Sequence, residues 1–157
     1  MTTFPKENNP SLSKGTSLSD FLTIVSKSIT PTFADKKYWV RGEVTGLKYN
    51  TSKGFAYFQL VEKKRNSNDI IASIGVTCWT TLQIKEFERA TGQIFKNDIQ
   101  ILIECEVVYH RLYNLSLNLL NIDFSFTVGA LALERQASIS RLVNDVSGIE
   151  YLDGELL

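Results

Sequence analysis

Five segments of the chain alternate apolar and polar residues with a period of two, which is the pattern of strands that bury one face. These segments are residues 38–47, 55–61, 70–79, 99–109 and 115–126. Clusters of Gly, Asn, Ser and Asp separate several of them, as expected of turns. The pattern therefore predicts five β-strands over most of the chain.

Two other segments carry apolar residues at helical spacing. The first follows Ser17 and Asp20, which fit a capping box, and is predicted to end at Pro31. The second lies between the third and fourth strands, with Thr80 as its candidate N-cap and Gly92 as its terminator. Five strands with a helix between the third and fourth predict an all-β OB-fold barrel with flanking helices.

Side-chain alternation also predicts which faces fill the barrel. In the first strand Val40 and Val44 point inward, and Gly42 between them permits the sharp coiling of a small barrel. In the fifth strand the apolar positions change from odd to even residue numbers, which predicts a bulge near Leu119. In the fourth strand the odd positions are predicted to be core, and these are Ile99, Ile101, Ile103, Cys105 and Val107.

Composition divides the chain into three parts. Residues 1–16 are polar and are predicted to be a disordered leader, residues 17–128 the OB-fold domain with its N-terminal helix, and residues 129–157 a helical linker. The two cysteines lie far apart, so no disulfide framework is indicated. Neither a secretion signal nor a membrane span is recognisable, and a cytoplasmic location is expected.

The net charge is zero, yet the signs are segregated along the chain. Residues 36–65 hold eight basic and two acidic side chains, whereas residues from 97 onward hold three basic and nine acidic ones. A local cationic surface on a neutral domain follows from this distribution.

The alternation along the strands predicts that aromatic and basic side chains point outward together, on the exterior of the barrel. Single-stranded nucleic-acid binders use this combination, because rings stack bases while Lys and Arg neutralise phosphates. The turn at residues 48–54 and the fourth turn, at residues 110–113, are the loops that contact ligands in OB folds. The predicted nucleic-acid contacts are Trp39, Arg41, Lys48, Tyr49, Lys53, Phe55, Tyr57, Trp79, Arg111 and Tyr113.

An alternative reading treats the same rings as β-forming residues that dock another protein. Trp39 and Trp79 individually fit packing as well as binding. The basic run Lys63, Lys64 and Arg65 lies in a polar loop and is interpreted as solvated. The chain therefore retains two candidate functions, nucleic-acid capture and protein docking.

Catalysis has little support in the sequence. His110 is the only histidine, and no nucleophile lies at a recognisable spacing from it. Glu104 and Glu106 share a strand face, but no third ligand accompanies them, and no phosphate-binding glycine motif is present. A small nuclease using these two carboxylates is the least favoured hypothesis. We predict no catalytic residue, no metal site and no cofactor in this segment.

Several motifs resemble the N-terminal domain of the exodeoxyribonuclease VII large subunit. SLSDFLTIVSKSI is similar to the opening helix of that family, YWVRGEVTGLK to its first strand and SKGFAYFQLVE to the turn and second strand. ASIGVTCWTT resembles the third strand and GALALERQASISRLV the helix after the barrel, so the resemblance spans residues 17–143. One departure is the fourth turn, YHRLYNLSL, which lacks the glycine usual in the family.

The resemblance implies a role in a bacterial enzyme that degrades single-stranded DNA to short oligonucleotides. In that enzyme the N-terminal domain captures the strand. A catalytic domain and a helical region that recruits the small subunit would follow this N-terminal domain.

Overall fold

The computed structural model describes residues 14–50 and 52–147. Its elements are α1 (Leu18–Phe33), β1 (Tyr38–Asn50), β2 (Phe55–Lys63), β3 (Ile70–Cys78), α2 (Leu82–Thr91), β4 (Gln100–His110), β5 (Asn114–Ile122) and α3 (Phe124–Ser147). The strands close into a barrel in the order β1-β2-β3-β5-β4, with β3 and β5 parallel and every other pair antiparallel. The predicted OB-fold barrel with three helices is confirmed.

The predicted sidedness of the strands is also confirmed. In β4, Ile99 just before the strand and Ile101, Ile103 and Cys105 within it are buried. Gly42 is required for close packing, because a Cβ there would lie 2.7 Å from Leu60 Cγ and 2.9 Å from a backbone oxygen. The alternating inward positions of the strands therefore form one continuous core.

A group of phenylalanine rings closes the end of the barrel below α2. Phe95 packs edge-on against Phe58 at 5.6 Å and against Phe87 at 5.5 Å between ring centroids. Phe87 also contacts Phe124 of α3 at 6.2 Å. These contacts attach α2 and α3 to the barrel and leave the outer faces of the strands for other roles.

The bulge predicted near Leu119 is present. Glu104 pairs with Asn121 and the next residue, Cys105, pairs with Leu119, so Leu120 is the extra residue of β5. This insertion explains the change of apolar phase along the fifth strand.

The predicted end of the fifth strand at residue 126 is wrong. The strand stops at Ile122, and α3 begins at Phe124, before the predicted linker boundary at 129. The reason is Asp123, whose Oδ1 accepts hydrogen bonds from the backbone N–H groups of Ser125 at 2.9 Å and Phe126 at 3.3 Å. This arrangement is a helix N-cap, so local capping overrides the alternating pattern.

The ends of α1 and α2 match the predictions in part. Ser17 caps α1 by accepting from the Asp20 N–H, but α1 passes through Pro31 to Phe33, so the predicted stop is wrong. Phe33 packs against Tyr38 with 6.0 Å between ring centroids, and this contact holds the last turn in place.

In α2 the N-cap position is Thr81 rather than Thr80, because the helix starts one residue later than predicted. Thr80 Oγ1 nonetheless accepts from the N–H of Leu82 at 3.2 Å. Gly92 ends the helix in the left-handed conformation at φ 70°, as predicted. Residues 1–13 of the predicted leader and residues 148–157 of the predicted linker lie outside the described residues.

Candidate nucleic-acid interface

The rings of Phe55 and Trp79 meet on the outer surface where β2 begins and β3 ends. Their centroids are 6.0 Å apart and their planes are inclined at 45°. Phe55 is half-buried, whereas Trp79 is 65% exposed. Tyr57, two residues after Phe55 on the same face of β2, adds a third ring. We call Phe55, Tyr57 and Trp79 the ring cluster.

Tyr57 occupies space that Gly75 leaves open on the neighbouring strand. A Cβ at position 75 would lie 2.5 Å from the Tyr57 hydroxyl oxygen and 3.2 Å from Cε2 and Cζ. The Tyr57 hydroxyl also accepts a hydrogen bond from Gln59 Nε2 at 2.7 Å, and Gln59 Oε1 accepts from Ser73 Oγ at 3.0 Å. The ring is therefore fixed along the sheet surface.

A bulge in β1 brings Lys48 to the ring cluster. Thr45 pairs with Gln59 and Lys48 pairs with Tyr57, so the β1 segment holds one extra residue. Gly46 lies there at φ +62°, a conformation that glycine adopts without strain. Directly opposed residues share a face, so the Lys48 side chain stands beside Tyr57.

Tyr49, the next residue of β1, faces away from Lys48. Tyr49 pairs with Ala56, whose side chain is buried, and so points to the other side of the strand. Partial burial raises the pKa of Tyr49, and the charge of Glu88 raises it further. Tyr49 thus lies toward α2 rather than within the ring cluster, whereas the sequence predicts both Tyr49 and Lys48 as contacts of the same turn.

Lys53 projects from the tight turn between β1 and β2. Asn50 Oδ1 accepts from the Lys53 N–H at 3.0 Å and from Ser52 Oγ at 2.8 Å, and the N–H of Gly54 donates to the Asn50 carbonyl at 2.7 Å. β1 itself continues to Asn50, three residues beyond its predicted end. Lys48 and Lys53 are exposed and form no ion pair with any described residue.

Trp39 and Arg41 lie apart from the ring cluster. They belong to the half of β1 that pairs with β4, where Trp39 is opposite Glu104 and Arg41 is opposite Leu102. Arg41 and Lys48 lie seven positions apart along the strand, about 23 Å at roughly 3.3 Å per residue. Both side chains are exposed. The structure therefore divides the predicted outer surface into two regions.

The turn between β4 and β5 presents Arg111 and Tyr113. The rings of His110 and Tyr113 stack at 4.9 Å, and the N–H groups of Leu112 and Tyr113 donate to His110 Nδ1 and its carbonyl oxygen, both at 3.1 Å. Asn114 adopts φ +64°, the left-handed conformation for which glycine is usual. An asparagine thus replaces the glycine that this turn lacks.

The carboxylates of Glu104 and Glu106 are each held by an amide of β5. Asn121 Nδ2 donates to Glu104 at 2.8 Å, and Asn118 Nδ2 donates to Glu106 at 3.4 Å. Within the part of the chain that the structure describes, no three His, Cys, Asp or Glu side chains form a group that could hold a metal ion.

Lys63 differs from its neighbours Lys64 and Arg65. Its Nζ lies 2.7 Å from Glu43 Oε2, while Glu43 Oε1 accepts from Gln100 Nε2 at 3.0 Å. The hydrogen bond to Glu43 raises the pKa of Lys63. Interpreting the whole basic run as solvated is therefore wrong for Lys63, which connects strands, whereas Lys64 and Arg65 are exposed.

Sequence reasoning missed two residues that support the ring cluster, Gly75 and Asn118. Asn118 of β5 accepts a hydrogen bond from Trp79 Nε1 at 3.1 Å. The signal that would reveal both is the pairing of β3 with its neighbours, including the parallel pairing of Thr77 with Asn118. Periodicity along one strand does not specify such cross-strand partners.

A family model described as an OB-fold nucleic acid binding domain matches residues 16–123. The chain belongs to this family. The match begins just before α1 and ends at the cap of α3, so it covers the whole barrel. A comparison with curated protein sequences finds no significant match.

Solved structures that overlap this domain include two single-stranded DNA binding proteins. The mitochondrial protein Rim1 from S. cerevisiae has 13% identity and a TM-score of 0.41, and the alignment covers 56% of this chain and 92% of Rim1. A small single-stranded DNA binding protein from Mycoplasma pneumoniae has 9% identity and a TM-score of 0.40, with 55% of this chain and 90% of that protein covered. Among the described residues, no helix is long and apolar enough to cross a membrane.

Proposed function

We propose that this OB-fold domain binds single-stranded DNA across the ring cluster. The observation that carries the proposal is the exposed Trp79 ring beside Phe55, with Tyr57 fixed along the sheet and Lys48 opposite it. Rings at the surface stack bases of any identity, and adjacent lysines neutralise phosphates. Duplex DNA hides its base faces, so the surface suits a single strand.

In its cellular role, we infer, the domain is the N-terminal strand-capturing part of an exodeoxyribonuclease VII large subunit. The sequence resemblance over residues 17–143 and membership of the nucleic-acid-binding OB family support this inference. The domain would work in the bacterial cytoplasm without a cofactor of its own. Hydrolysis, and contact with the small subunit, would belong to other regions of the large subunit.

The test is removal of two rings, in a Tyr57→Ala/Trp79→Ala variant, followed by fluorescence anisotropy with a labelled oligothymidylate. Each stacked base is worth about 1–3 kcal/mol, so we expect affinity to fall by at least tenfold. Phe21→Ala on α1 is the matched control, because Phe21 is an exposed ring on a helix whose main contacts are with β4 rather than with the strands of the ring cluster. A folded double variant with wild-type affinity would exclude the proposed site.

A second candidate function, protein docking, is favoured at one place on the surface. Trp39 is 54% exposed and stands opposite an acidic residue, Glu104, which repels phosphate. Exposed tryptophan is a frequent anchor of protein interfaces. If docking is the main function, the domain will self-associate in sedimentation experiments without DNA affinity, and Trp39→Ala will abolish the association.

A further inference from the structure

Trp79 is an exposed ring whose indole nitrogen has a fixed hydrogen-bond partner. It is the first residue after β3, and its Nε1–H donates to Asn118 Oδ1 on β5 at 3.1 Å. Asn118 in turn pairs with Thr77, two residues before Trp79, in the parallel ladder that closes the barrel. The exposed ring is thus attached to a regular part of the sheet.

The amide of Asn118 has only one orientation compatible with its two partners. Its Nδ2 donates to Glu106 Oε1 at 3.4 Å, and Glu106 lies directly opposite it on β4. If the amide were reversed, its NH₂ group would face the indole N–H, donor against donor, and its oxygen would face a carboxylate. Glu106 therefore orients Asn118, and Asn118 orients Trp79.

We propose that Asn118 is a positioning residue for base stacking, since it holds the Trp79 indole at the inclination that completes the ring cluster. The proposal rests on the proposed function and adds to it a residue outside the stacking rings. An exposed side chain that is already ordered loses less conformational freedom when a base stacks on it. Asn118 thus increases affinity without contacting DNA.

Asn121 provides a matched control on the same strand. It too donates through Nδ2 to a β4 carboxylate, Glu104 at 2.8 Å, but it forms no hydrogen bond with a ring among the described residues. Asn118→Ala and Asn121→Ala each remove one amide–carboxylate contact, and only Asn118→Ala releases Trp79. A Trp79→Phe background gives a second control, because phenylalanine has no N–H to donate.

The experiment compares these variants in a Trp39→Phe background, where Trp79 is the one remaining tryptophan of the two in the chain. Tryptophan fluorescence anisotropy reports the order of the indole, and titration with oligothymidylate reports affinity. We expect Asn118→Ala to lower the anisotropy and weaken binding about 3- to 10-fold, the effect of one net hydrogen bond. Asn121→Ala should change neither quantity, and Asn118→Ala should have no effect on affinity in the Trp79→Phe background.

Equal losses of affinity for Asn118→Ala and Asn121→Ala would overturn the proposal, as would an unchanged indole anisotropy in Asn118→Ala. An effect of Asn118→Ala that persists with phenylalanine at position 79 would also overturn it. If the unsubstituted domain binds no single strand, the proposed function fails, and the positioning role for DNA fails with it. If the domain binds but Asn118→Ala binds equally well, only the positioning role fails.

Discussion

At the scale of single residues, the orientation of Tyr57 depends on Gly75, which has no side chain. Gly75 has ordinary strand geometry, so glycine is not needed there for its backbone conformation. It is needed because the tyrosine hydroxyl and the adjoining ring carbons occupy the space of a β-carbon. The orientation of the ring cluster is therefore encoded in part on the strand beside it.

Gly75→Ala should displace Tyr57 from the sheet and weaken single-strand binding about fivefold or more, within the range expected for one lost stack. Anisotropy titration measures this loss, and circular dichroism confirms that the variant is folded. Gly129→Ala is the control, because a Cβ at that helical position meets no atom within 4 Å. It should leave binding unchanged and stabilise the fold by about 0.5–1 kcal/mol. Wild-type affinity in Gly75→Ala would refute the role assigned to Tyr57.

Sequence alternation grouped Phe55, Tyr57 and Trp79 correctly, because parity within a strand determines the face of each side chain. The predicted turn at residues 48–54 grouped Tyr49 with Lys48, but β1 continues through both residues, so these neighbours point to opposite sides of the strand. Asn118 escaped prediction for a different reason. Its partner Trp79, just after the end of β3, is 39 residues away in sequence, and only the register of the parallel ladder brings the two together.

At the scale of elements, the junction between β5 and α3 depends on Asp123. The Ser125 hydroxyl donates to its carboxylate at 2.6 Å, and the backbone N–H groups of Phe126 and Ser125 add to the effect, so the pKa of Asp123 lies below its usual range. Thr127, one turn into the helix, is buried and donates to the Gln100 carbonyl at 2.7 Å. The cap and this anchor together set where α3 starts.

Because the folded state lowers the pKa of Asp123, the unfolded chain binds the proton more readily. The stabilisation by this carboxylate is thus complete above the usual carboxyl pKa and is lost as the pH falls through the lowered value. Asp123→Ala should reduce thermal stability near neutral pH, and its difference from the wild type should shrink below about pH 4. Thermal melts followed by circular dichroism across pH measure this, with Glu134→Ala on α3 as control. A difference that is constant down to pH 2 would contradict the capping role.

The order of the elements followed from periodicity, but the ends of several of them did not. Helix α1 continues past Pro31, α2 begins one residue late, and β5 ends early. Each end is decided by a few contacts, such as the packing of Phe33 on Tyr38 or the Asp123 cap. Periodicity averages over a whole segment and is insensitive to such contacts.

At the scale of the whole molecule, zero net charge conceals an uneven distribution of charge around the barrel. Lys48 and Lys53 lie on the β1 side of the ring cluster, and Glu106 lies on its β4 side. Glu104 and the ion-paired Glu43 lie where β1 pairs with β4. If the proposed function holds, we expect a single strand to approach the side of the barrel that carries the lysines. The segregation of charge along the sequence is thus carried in part into the fold.

Lys48→Ala/Lys53→Ala should flatten the salt dependence of binding. If both lysines neutralise phosphates of a single strand, the slope of log K against log salt should become less steep by about 1.4, roughly 0.7 for each contact. Lys64→Ala/Arg65→Ala removes the same charge from the exposed loop after β2 and should change the slope far less. Equal changes for both double variants would show that only total charge matters.

The most direct test of the account is fluorescence anisotropy of the domain with labelled single-stranded and duplex DNA of the same sequence over a salt series. We predict preference for the single strand at every salt concentration, with affinity decreasing as salt increases, because the ring cluster stacks unpaired bases and the lysines contact phosphates. Equal affinity for duplex, or no binding even at low salt, would contradict the central claim.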